Sequence, residues 1–240
     1  MNKNNVLIMI PSYNEGEVIN LICKKIYKLN PLYNILILDD GSKKPVKLHT
    51  NSSKTFLYNS PYNYGLGVST NIALSFMLKY NYDFLVRIDG DNQHPVDAIP
   101  QLVEKLSKGY DTCIGTRINA DLGHSLRHKL SKHVRKYFNF MAKNIISPNV
   151  PNDISSGFMA FNRSSALFLS KQMFERYPEP EIIMLLASNK FSLTEVKINQ
   201  LPRLDGLSTI GYYRGLFLFY KFNIFILNHL FDKVINKCKL

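Results

Sequence analysis

A regular alternation of short apolar segments with amphipathic ones is the feature that most constrains this chain. Residues 6–10 are wholly apolar, and the next segment, up to Leu29, carries its apolar residues at helical spacing. We predict strands at residues 6–10, 35–38, 55–58, 84–88, 112–114 and 193–198, and helices at residues 18–29, 67–80, 96–106 and 182–187. Apolar strands that alternate with helices are typical of βαβ units. The sequence therefore predicts an α/β, doubly wound fold with a mostly parallel sheet.

Polar residues follow four of the predicted strands. They occupy residues 11–15, 39–42, 89–94 and 115–117, and two of these segments carry two aspartates each, Asp39-Asp40 and Asp89-Gly90-Asp91. Ligands of open α/β sheets bind outside the carboxyl ends of the strands. We predict a site there, because turns built only for stability do not require this concentration of acidic residues.

The charge of the chain indicates an anionic partner. Its 240 residues include 30 Lys and Arg against 18 Asp and Glu, which gives a formal net charge of +12 at pH 7. Nucleic acid, a phosphorylated small molecule and an acidic membrane face are the candidates. Nucleic acid is disfavoured, because the chain carries no recognition-helix motif and no RNA-binding aromatic strand, and acidic strand ends repel phosphate without a metal.

Cysteine usage and hydropathy predict the compartment. The three scattered cysteines, Cys23, Cys113 and Cys238, match neither a disulfide framework nor a paired metal-binding motif, which favours a reducing environment. We see no apolar signal segment at the start of the sequence. The sequence has no uninterrupted run of about twenty apolar residues, so we predict no transmembrane helix. We therefore expect a cytoplasmic location.

The Asp89-Gly90-Asp91 motif has two interpretations. Two carboxylates one residue apart at a strand end can share a hard divalent cation, which takes the diphosphate oxygens of a nucleotide as further ligands. A turn that caps the next helix would contain the same residues, and for this motif alone it is the better interpretation. His94, a few residues on, is either a further metal ligand or a structural residue.

The motif does not stand alone, and the set to which it belongs resembles a known family. Four segments occur in order: Pro11-Ser12-Tyr13-Asn14-Glu15, Leu38-Asp39-Asp40-Gly41-Ser42, residues 87–95 (RIDGDNQHP) and Ile114-Gly115-Thr116-Arg117. From about residue 6 to about residue 210, the chain resembles the family 2 glycosyltransferases of the GT-A fold. The resemblance is greatest to the branch related to dolichyl- and polyprenyl-phosphate sugar synthases, and later segments resemble bacterial enzymes that build surface polysaccharides.

The resemblance implies a metal-dependent, inverting transfer of a sugar from a nucleoside-diphosphate sugar to a membrane-associated acceptor. That acceptor would be a polyprenyl phosphate or a growing surface glycan. The residues implied in nucleotide-sugar binding are Pro11, Tyr13, Glu15, Asp40, Asp89 and Gly90. Those implied in binding Mg²⁺ or Mn²⁺ are Asp89, Asp91 and Gln93. The alternative is a GT-A protein that binds a nucleotide-sugar and has lost its activity.

The catalytic base depends on the acceptor. A sugar hydroxyl needs a carboxylate to take its proton, and the candidates are Asp153, Glu179 and Glu181. Glu181 matches the region in which many family 2 enzymes carry the base, and Asp153 is expected to line the acceptor site. Acidic residues are also favoured at a helix N-terminus, which would explain Glu179 and Glu181 without catalysis.

A lipid phosphate needs no base, because it is already anionic, and basic residues then become the important set. We assign Arg117 a catalytic role. The residues assigned to acceptor or phosphate binding are Arg127, Ser131, Arg203 and Ser208. Arg127 and Ser131 are four residues apart and share one face of a helix, although a solvated basic helix would show the same pattern.

The segment 211–240 is predicted to be a separate amphipathic helix that follows a glycosyltransferase domain of residues 1–210. Its polar residues fall on one stripe, and almost all others are apolar. Such a helix lies in the headgroup plane of a membrane, packs into the core or forms a dimer seam. Lys233, Lys237 and Lys239 favour the membrane. We therefore expect peripheral attachment to the cytoplasmic face, with a homodimer as the alternative.

Overall fold

The computed structural model describes residues 5–49, 52–118, 126–202 and 212–238. The strands are β1 (Val6–Ser12), β2 (Asn34–Asp39), β3 (Thr55–Asn59), β4 (Phe84–Arg87), β5 (Thr112–Arg117), β6 (Met159–Asn162) and β7 (Leu193–Ile198). The helices are α1 (Val18–Leu29), α2 (Leu66–Lys79), α3 (Ile99–Ser107), α4 (Leu126–Met141), α5 (Arg163–Leu169), α6 (Glu179–Ser188) and α7 (Tyr212–Cys238). A 3₁₀ turn (Val96–Ala98) precedes α3, and a π-helical turn (Ala142–Ile146) follows α4.

The described strands form one sheet in the order β3-β2-β1-β4-β6-β5-β7. The pairs β1–β2, β1–β4, β2–β3 and β5–β7 are parallel. Strand β6 is antiparallel to both β4 and β5, so β5 and β7 run in the same direction as β1. The predicted mostly parallel sheet is confirmed. As a result, the carboxyl ends of β1, β2, β4 and β5 lie along one edge.

Strands β1 and β5 extend well beyond the carboxyl ends of the apolar runs that predicted them. Strand β1 continues through Pro11 to Ser12, which pairs with Asp39 of β2. Strand β5 continues to Arg117, because β7 pairs with it over its whole length. The polar ends of both strands are therefore held by backbone pairing rather than by turns.

Two hydrophobic cores cover the two faces of the sheet. Successive side chains of a strand point to opposite faces. Ile8 and Ile10 accordingly lie in the core formed with α1 and α3, whereas Leu7 and Met9 lie in the core formed with α2, α5 and α6. This second core also includes Phe222 of α7. The sheet is thus covered on both sides, and its polar edge remains for a site.

Helix α7 occupies the predicted C-terminal segment, and one of its faces joins the core. Phe222 stacks on Phe138 of α4 with ring centroids 4.1 Å apart, and Ile226 is also buried. The predicted boundary at residue 210 falls within residues 203–211, outside the described residues. None of the described helices combines the length and the apolar character needed to cross a membrane.

Candidate active site

A cleft of about 470 Å³ lies at the carboxyl edge of β1, β2, β4 and β5. It brings together most of the residues that the sequence predicted. The predicted residues that line it are Pro11, Tyr13, Glu15, Asp40, Asp89, Gly90, Asp91, Gln93 and Arg117. They come from four separate segments of the chain, and the parallel strands place them side by side because their carboxyl ends share one edge.

The two aspartates at the end of β2 have different roles. Asp39 is buried and accepts hydrogen bonds from the hydroxyl of Ser42 and from the backbone N–H of Val46, so it organises the turn after β2. Asp40 lines the cleft and accepts the backbone N–H groups of Tyr64 and Gly65, each at 2.8 Å. Asp40 therefore anchors the loop that leads into α2, and it also faces the cleft.

Gly90 is required by the close approach of two strand ends. A Cβ atom at this position would lie 2.7 Å from the carbonyl oxygen of Pro11. That distance is too short for any side chain, because the clashing atom belongs to the backbone. The end of β1 and the motif after β4 can therefore come together only with glycine at position 90.

A buried ion-pair triad connects β4 with α6. Arg87 is only 1% exposed, and its Nη2 lies 2.5 Å from Glu179 Oε1 and 3.3 Å from Asp89 Oδ1. Burial by itself raises the pKa of Asp89. The charge and hydrogen bond of Arg87, together with the charges of His94 and Arg117, more than offset this effect, so the pKa of Asp89 lies below its usual range. Asp89 is therefore ionised in the cleft.

His94 is a structural neighbour of Asp89. Its buried ring stacks on Phe158 with centroids 5.1 Å apart, and its Nδ1 accepts the backbone N–H of Asp89 at 3.1 Å. Burial lowers the pKa of His94. One ring nitrogen is thus committed to the backbone, which favours the structural interpretation of this residue over a role as a metal ligand.

The donor set of the cleft fits a divalent cation that is shared with a ligand. No cluster of three or more His, Cys, Asp or Glu that could hold a metal ion occurs among the described residues. Asp89 and Asp91 nevertheless both line the cleft, and Asp91 accepts the backbone N–H of Gln93 at 3.0 Å. Two carboxylates suit Mg²⁺ or Mn²⁺, since such ions keep waters and take substrate phosphate oxygens as their remaining ligands.

Asp153 is the partner of Arg117 and does not itself line the cleft. Arg117 Nε lies 2.6 Å from Asp153 Oδ2, and Nη2 lies 2.9 Å from Oδ1, so the pair is bidentate. Burial raises the pKa of Asp153, but hydrogen bonds and charge from Arg117 outweigh it and hold this pKa below its usual range. Arg117 also donates to the hydroxyl of Ser155 at 2.9 Å. Asp153 therefore orients Arg117, which faces the cleft.

The structure does not bring the predicted base Glu181 into the cleft. Its Oε2 lies 3.3 Å from Lys221 Nζ of α7, and it lines a different cavity. Glu179 lines the cleft instead. Both residues belong to α6, in which successive residues turn by about 100°, so side chains two positions apart point to nearly opposite sides.

Four predicted residues are not placed at side-chain level. Arg127 and Ser131 belong to α4, but their side chains lie outside the described residues. Arg203 and Ser208 fall in residues 203–211, which are also outside them. Of the residues that sequence reasoning linked to a lipid phosphate, the described part of the cleft therefore contains Arg117, which was assigned a catalytic role.

Several cleft residues were given no role by sequence reasoning. Among them are Arg87, Arg176, Tyr177 and Gln200. Arg87 had a detectable signal, because it is a charged residue at the end of an otherwise apolar strand, Phe84–Arg87. The other three lie outside the regular elements, where no periodicity marks them.

The fold and the site together define the class of protein. A mostly parallel sheet covered on both faces, with an acidic cleft at its carboxyl edge, is the GT-A glycosyltransferase fold, as the likeness to solved structures shows. The profile of the family described as "Glycosyl transferase family 2" matches residues 7–168, which is more than half of the chain. The protein belongs to this family.

Similar proteins are found among both curated sequences and solved structures. Polyprenol monophosphomannose synthase of Mycolicibacterium smegmatis is 26% identical over 220 residues, which cover 85% of this chain and 80% of the relative. Glucosyl-3-phosphoglycerate synthase from Mycobacterium tuberculosis, in complex with Mn²⁺, UDP and phosphoglyceric acid, has a TM-score of 0.61 at 18% identity and covers 85% and 72% of the two chains. The mannosyltransferase PcManGT from Pyrobaculum calidifontis, in complex with GDP-Man and Mn²⁺, has a TM-score of 0.58 at 15% identity. The match covers 97% of this chain and 64% of PcManGT.

Proposed function

We propose that the protein is a metal-dependent, inverting glycosyltransferase that moves a sugar from a nucleoside-diphosphate sugar to a polyprenyl phosphate. The observation that carries the choice of acceptor is that each candidate base is paired with a cation. Asp153 is paired with Arg117, Glu179 with Arg87, and Glu181 with Lys221 outside the cleft.

An acceptor hydroxyl needs a carboxylate that is free to take its proton. A carboxylate held by a buried guanidinium is a poor base, because the positive charge stabilises its ionised form. A phosphate acceptor is already anionic, and Arg117 is the kind of residue that binds phosphate through charge-assisted hydrogen bonds. The name of the mycobacterial relative points to the same class of acceptor. A surface glycan, whose acceptor group is a hydroxyl, fits these carboxylates less well.

In this proposal a phosphate oxygen of the acceptor attacks the anomeric carbon of the donor sugar. The bond from that carbon to the diphosphate oxygen breaks, and its electron pair leaves with the nucleoside diphosphate. Asp89 and Asp91, with Gln93 beside them, would hold Mg²⁺ or Mn²⁺, which when bound stabilises the negative charge of the leaving group. Mn²⁺ in the two solved structures of similar fold supports this assignment.

The remaining predicted residues are assigned to the donor. Pro11, Tyr13, Glu15 and Asp40 line the cleft at the ends of β1 and β2, Gly90 lies against the carbonyl of Pro11, and we assign these residues to the nucleotide. Asp40 serves in two ways, since it also fixes the loop at Tyr64 and Gly65. We assign Arg117 to the acceptor phosphate.

We propose a location at a membrane surface, on its cytoplasmic side, and the exposed face of α7 supports the membrane part of this proposal. Large apolar residues lie exposed along this helix: Leu216, Phe217, Phe219, Tyr220, Ile224, Leu227, Leu230, Phe231, Val234 and Ile235. Such a patch on one helix marks an interaction surface. Phe140 of the basic helix α4 is also 64% exposed. Apolar side chains beside basic ones suit anionic lipid, and a homodimer through α7 is the competing use of the same face.

The test is transfer of labelled sugar by the full chain from a panel of UDP-, GDP- and dTDP-sugars with Mn²⁺. The acceptors are a polyprenyl phosphate and a free oligosaccharide. We expect transfer to the phosphate, loss of transfer with EDTA, and at least a hundredfold loss in Asp91→Asn. The matched control is Asp97→Asn, an exposed aspartate outside the cleft.

Two results would contradict the proposal. Transfer only to the oligosaccharide would require a free base and would overturn the choice of acceptor. Full activity in EDTA, together with full activity of Asp91→Asn, would refute the proposed metal dependence. Tight binding of a nucleotide-sugar without turnover on any acceptor would instead favour an inactive member of the family.

A further inference from the structure

A second cavity, of about 190 Å³, lies between α6 and α7. Most of its wall is apolar and includes Pro180 and Met184 from α6 and Leu218, Phe222 and Phe225 from α7. An apolar cavity of roughly 150 Å³ stays dry and binds a hydrocarbon as large as benzene. The volume is therefore sufficient for a five-carbon isoprene unit.

The cavity borders the active-site cleft at Tyr177, which lines both the cavity and the cleft. Tyr177 has a φ of +59°, in the left-handed region that a bulky residue seldom adopts. The following residue is Pro178, which disfavours helical conformations at the position before it. A strained residue persists where the surrounding structure fixes it, and such residues cluster at functional sites. Tyr177 thus forms a constrained partition between the cleft and the cavity.

The cavity also reaches the outer surface of α7. Tyr220 and Ile224 line it, and they are 63% and 39% exposed. They belong to the same exposed apolar face as Leu227 and Phe231. The cavity therefore lies between the cleft, at Tyr177, and the apolar face of α7, at Tyr220 and Ile224.

The charged residues of the wall do not oppose an apolar occupant. Glu181 and Lys221 both line the cavity, and their charged atoms lie 3.3 Å apart. Lys221 also lies 3.5 Å from the exposed Glu175, so each charged side chain of the wall has an oppositely charged neighbour. The pair of Glu181 and Lys221 joins α6 to α7 and so holds the two walls together.

We propose that this cavity binds the second isoprene unit of the polyprenyl phosphate acceptor, with the first unit lying against Tyr177 between the phosphate and the cavity. The phosphate lies in the cleft, the chain passes Tyr177, and the rest of the hydrocarbon continues over the apolar face of α7. This inference rests on the proposed function, because it assumes a lipid phosphate acceptor. It adds a chain-binding site that is separate from the cleft.

The experiment measures kcat/KM in detergent for a series of isoprenyl phosphates of one, two, three and eleven units, with the full-length chain. We expect kcat/KM to rise on the order of tenfold per unit over the first units, because each buries further CH₂ groups, and then to level off. Leu218→Trp fills the cavity and should lower kcat/KM tenfold or more for the longer phosphates while leaving transfer to the one-unit phosphate unchanged.

The matched control is Leu167→Trp, the same substitution at an exposed leucine of α5 that belongs neither to the cavity nor to the apolar face of α7. It should behave like the unaltered protein with every acceptor. Retained transfer to the one-unit phosphate shows that Leu218→Trp is folded. Met184→Phe is a second, milder filling of the same cavity and should shift the profile in the same direction.

The outcomes separate this inference from the proposed function. Transfer to phosphates that does not depend on chain length overturns the inference alone, as does an equal loss for short and long acceptors in Leu218→Trp. Dimerisation that Leu218→Trp abolishes, with the chain-length profile unaltered, would make a second copy of the chain the occupant. Absence of transfer to any phosphate refutes the proposed function itself.

Discussion

The substitution Arg87→Met tests how the cleft is held together. Arg87 is buried at the end of β4, and its Nη2 is shared between Glu179 of α6 and Asp89. Methionine preserves much of the volume and removes the charge. Two carboxylates of the cleft then lose their common cation, and Glu179, which is only 8% exposed, is left buried without a counter-charge.

Removing one partner of a buried ion pair costs about 3–5 kcal/mol, because the other charge stays buried and unpaired. We expect the lower end, about 3 kcal/mol, for Arg87→Met. The reason is that Nε and Nη1 of Arg87 have no hydrogen-bond partner among the described residues, so the native pair already carries a desolvation cost. Adding Glu179→Gln removes one of the two unpaired charges. The double variant should therefore be about 1–3 kcal/mol more stable than the sum of the single effects.

The assay is urea unfolding at pH 7 followed by far-UV circular dichroism, which suits a chain with no tryptophan. Arg163→Met is the control, since Arg163 is exposed and its Nη1 donates a hydrogen bond to the carbonyl of Tyr82; this substitution should cost less than about 1 kcal/mol. A loss below about 1 kcal/mol for Arg87→Met would refute the reasoning. So would additive effects of Arg87→Met and Glu179→Gln, because the triad would then not be an energetic unit.

Two further predictions concern the acceptor side and α7. The pKa of Asp153 is depressed in the folded protein, so its contribution to stability is present above the ordinary value of 3.8 and is lost as the pH falls through the folded value. Thermal unfolding should therefore find Asp153→Asn destabilised at pH 7, with a deficit that shrinks as the pH is lowered below 3.8; a deficit that stays the same would contradict this. The double substitution Leu227→Glu/Phe231→Glu should reduce flotation with anionic vesicles at least tenfold, whereas Leu32→Glu, at an exposed apolar residue outside α7, should not. Equal flotation of both variants would refute membrane binding through α7. Loss of a dimer in Leu227→Glu/Phe231→Glu would instead favour a homodimer interface on α7.

Most regular elements and the location of the site could be predicted from the sequence, although β6 and α5 were not among the predicted segments. Residues 193–198 and 18–29 coincide with β7 and α1, because these segments have strong apolar periodicity. The short helix α5 was not predicted; it begins where the side chain of Asn162 accepts the backbone N–H of Ser165, and seven residues carry too little periodicity to be recognised. The ends of β1 and β5 were placed too early, since pairing with neighbouring strands extends both beyond their apolar runs.

The side chains of the site were less predictable than its location. Glu179 and Glu181 are equivalent in sequence, and only the packing of α6 between the sheet and α7 directs one to Arg87 and the other to Lys221. Helix α7 is a similar case. Its polar stripe includes Lys221, which the structure turns inward to Glu181, whereas the apolar residues Leu227 and Phe231 stay exposed.

The sequence by itself therefore determined the α/β architecture, the family and the segments that border the cleft. These depend on local periodicity and on short motifs, which can be recognised in the sequence without knowledge of the tertiary structure. Only the tertiary structure decided which acidic side chain pairs with which basic side chain. Arg87 and Glu179, for example, are 92 residues apart in the sequence. The tertiary structure also revealed the cavity between α6 and α7. Charge pairing and cavities arise where distant elements pack, and no pattern within a single element specifies them.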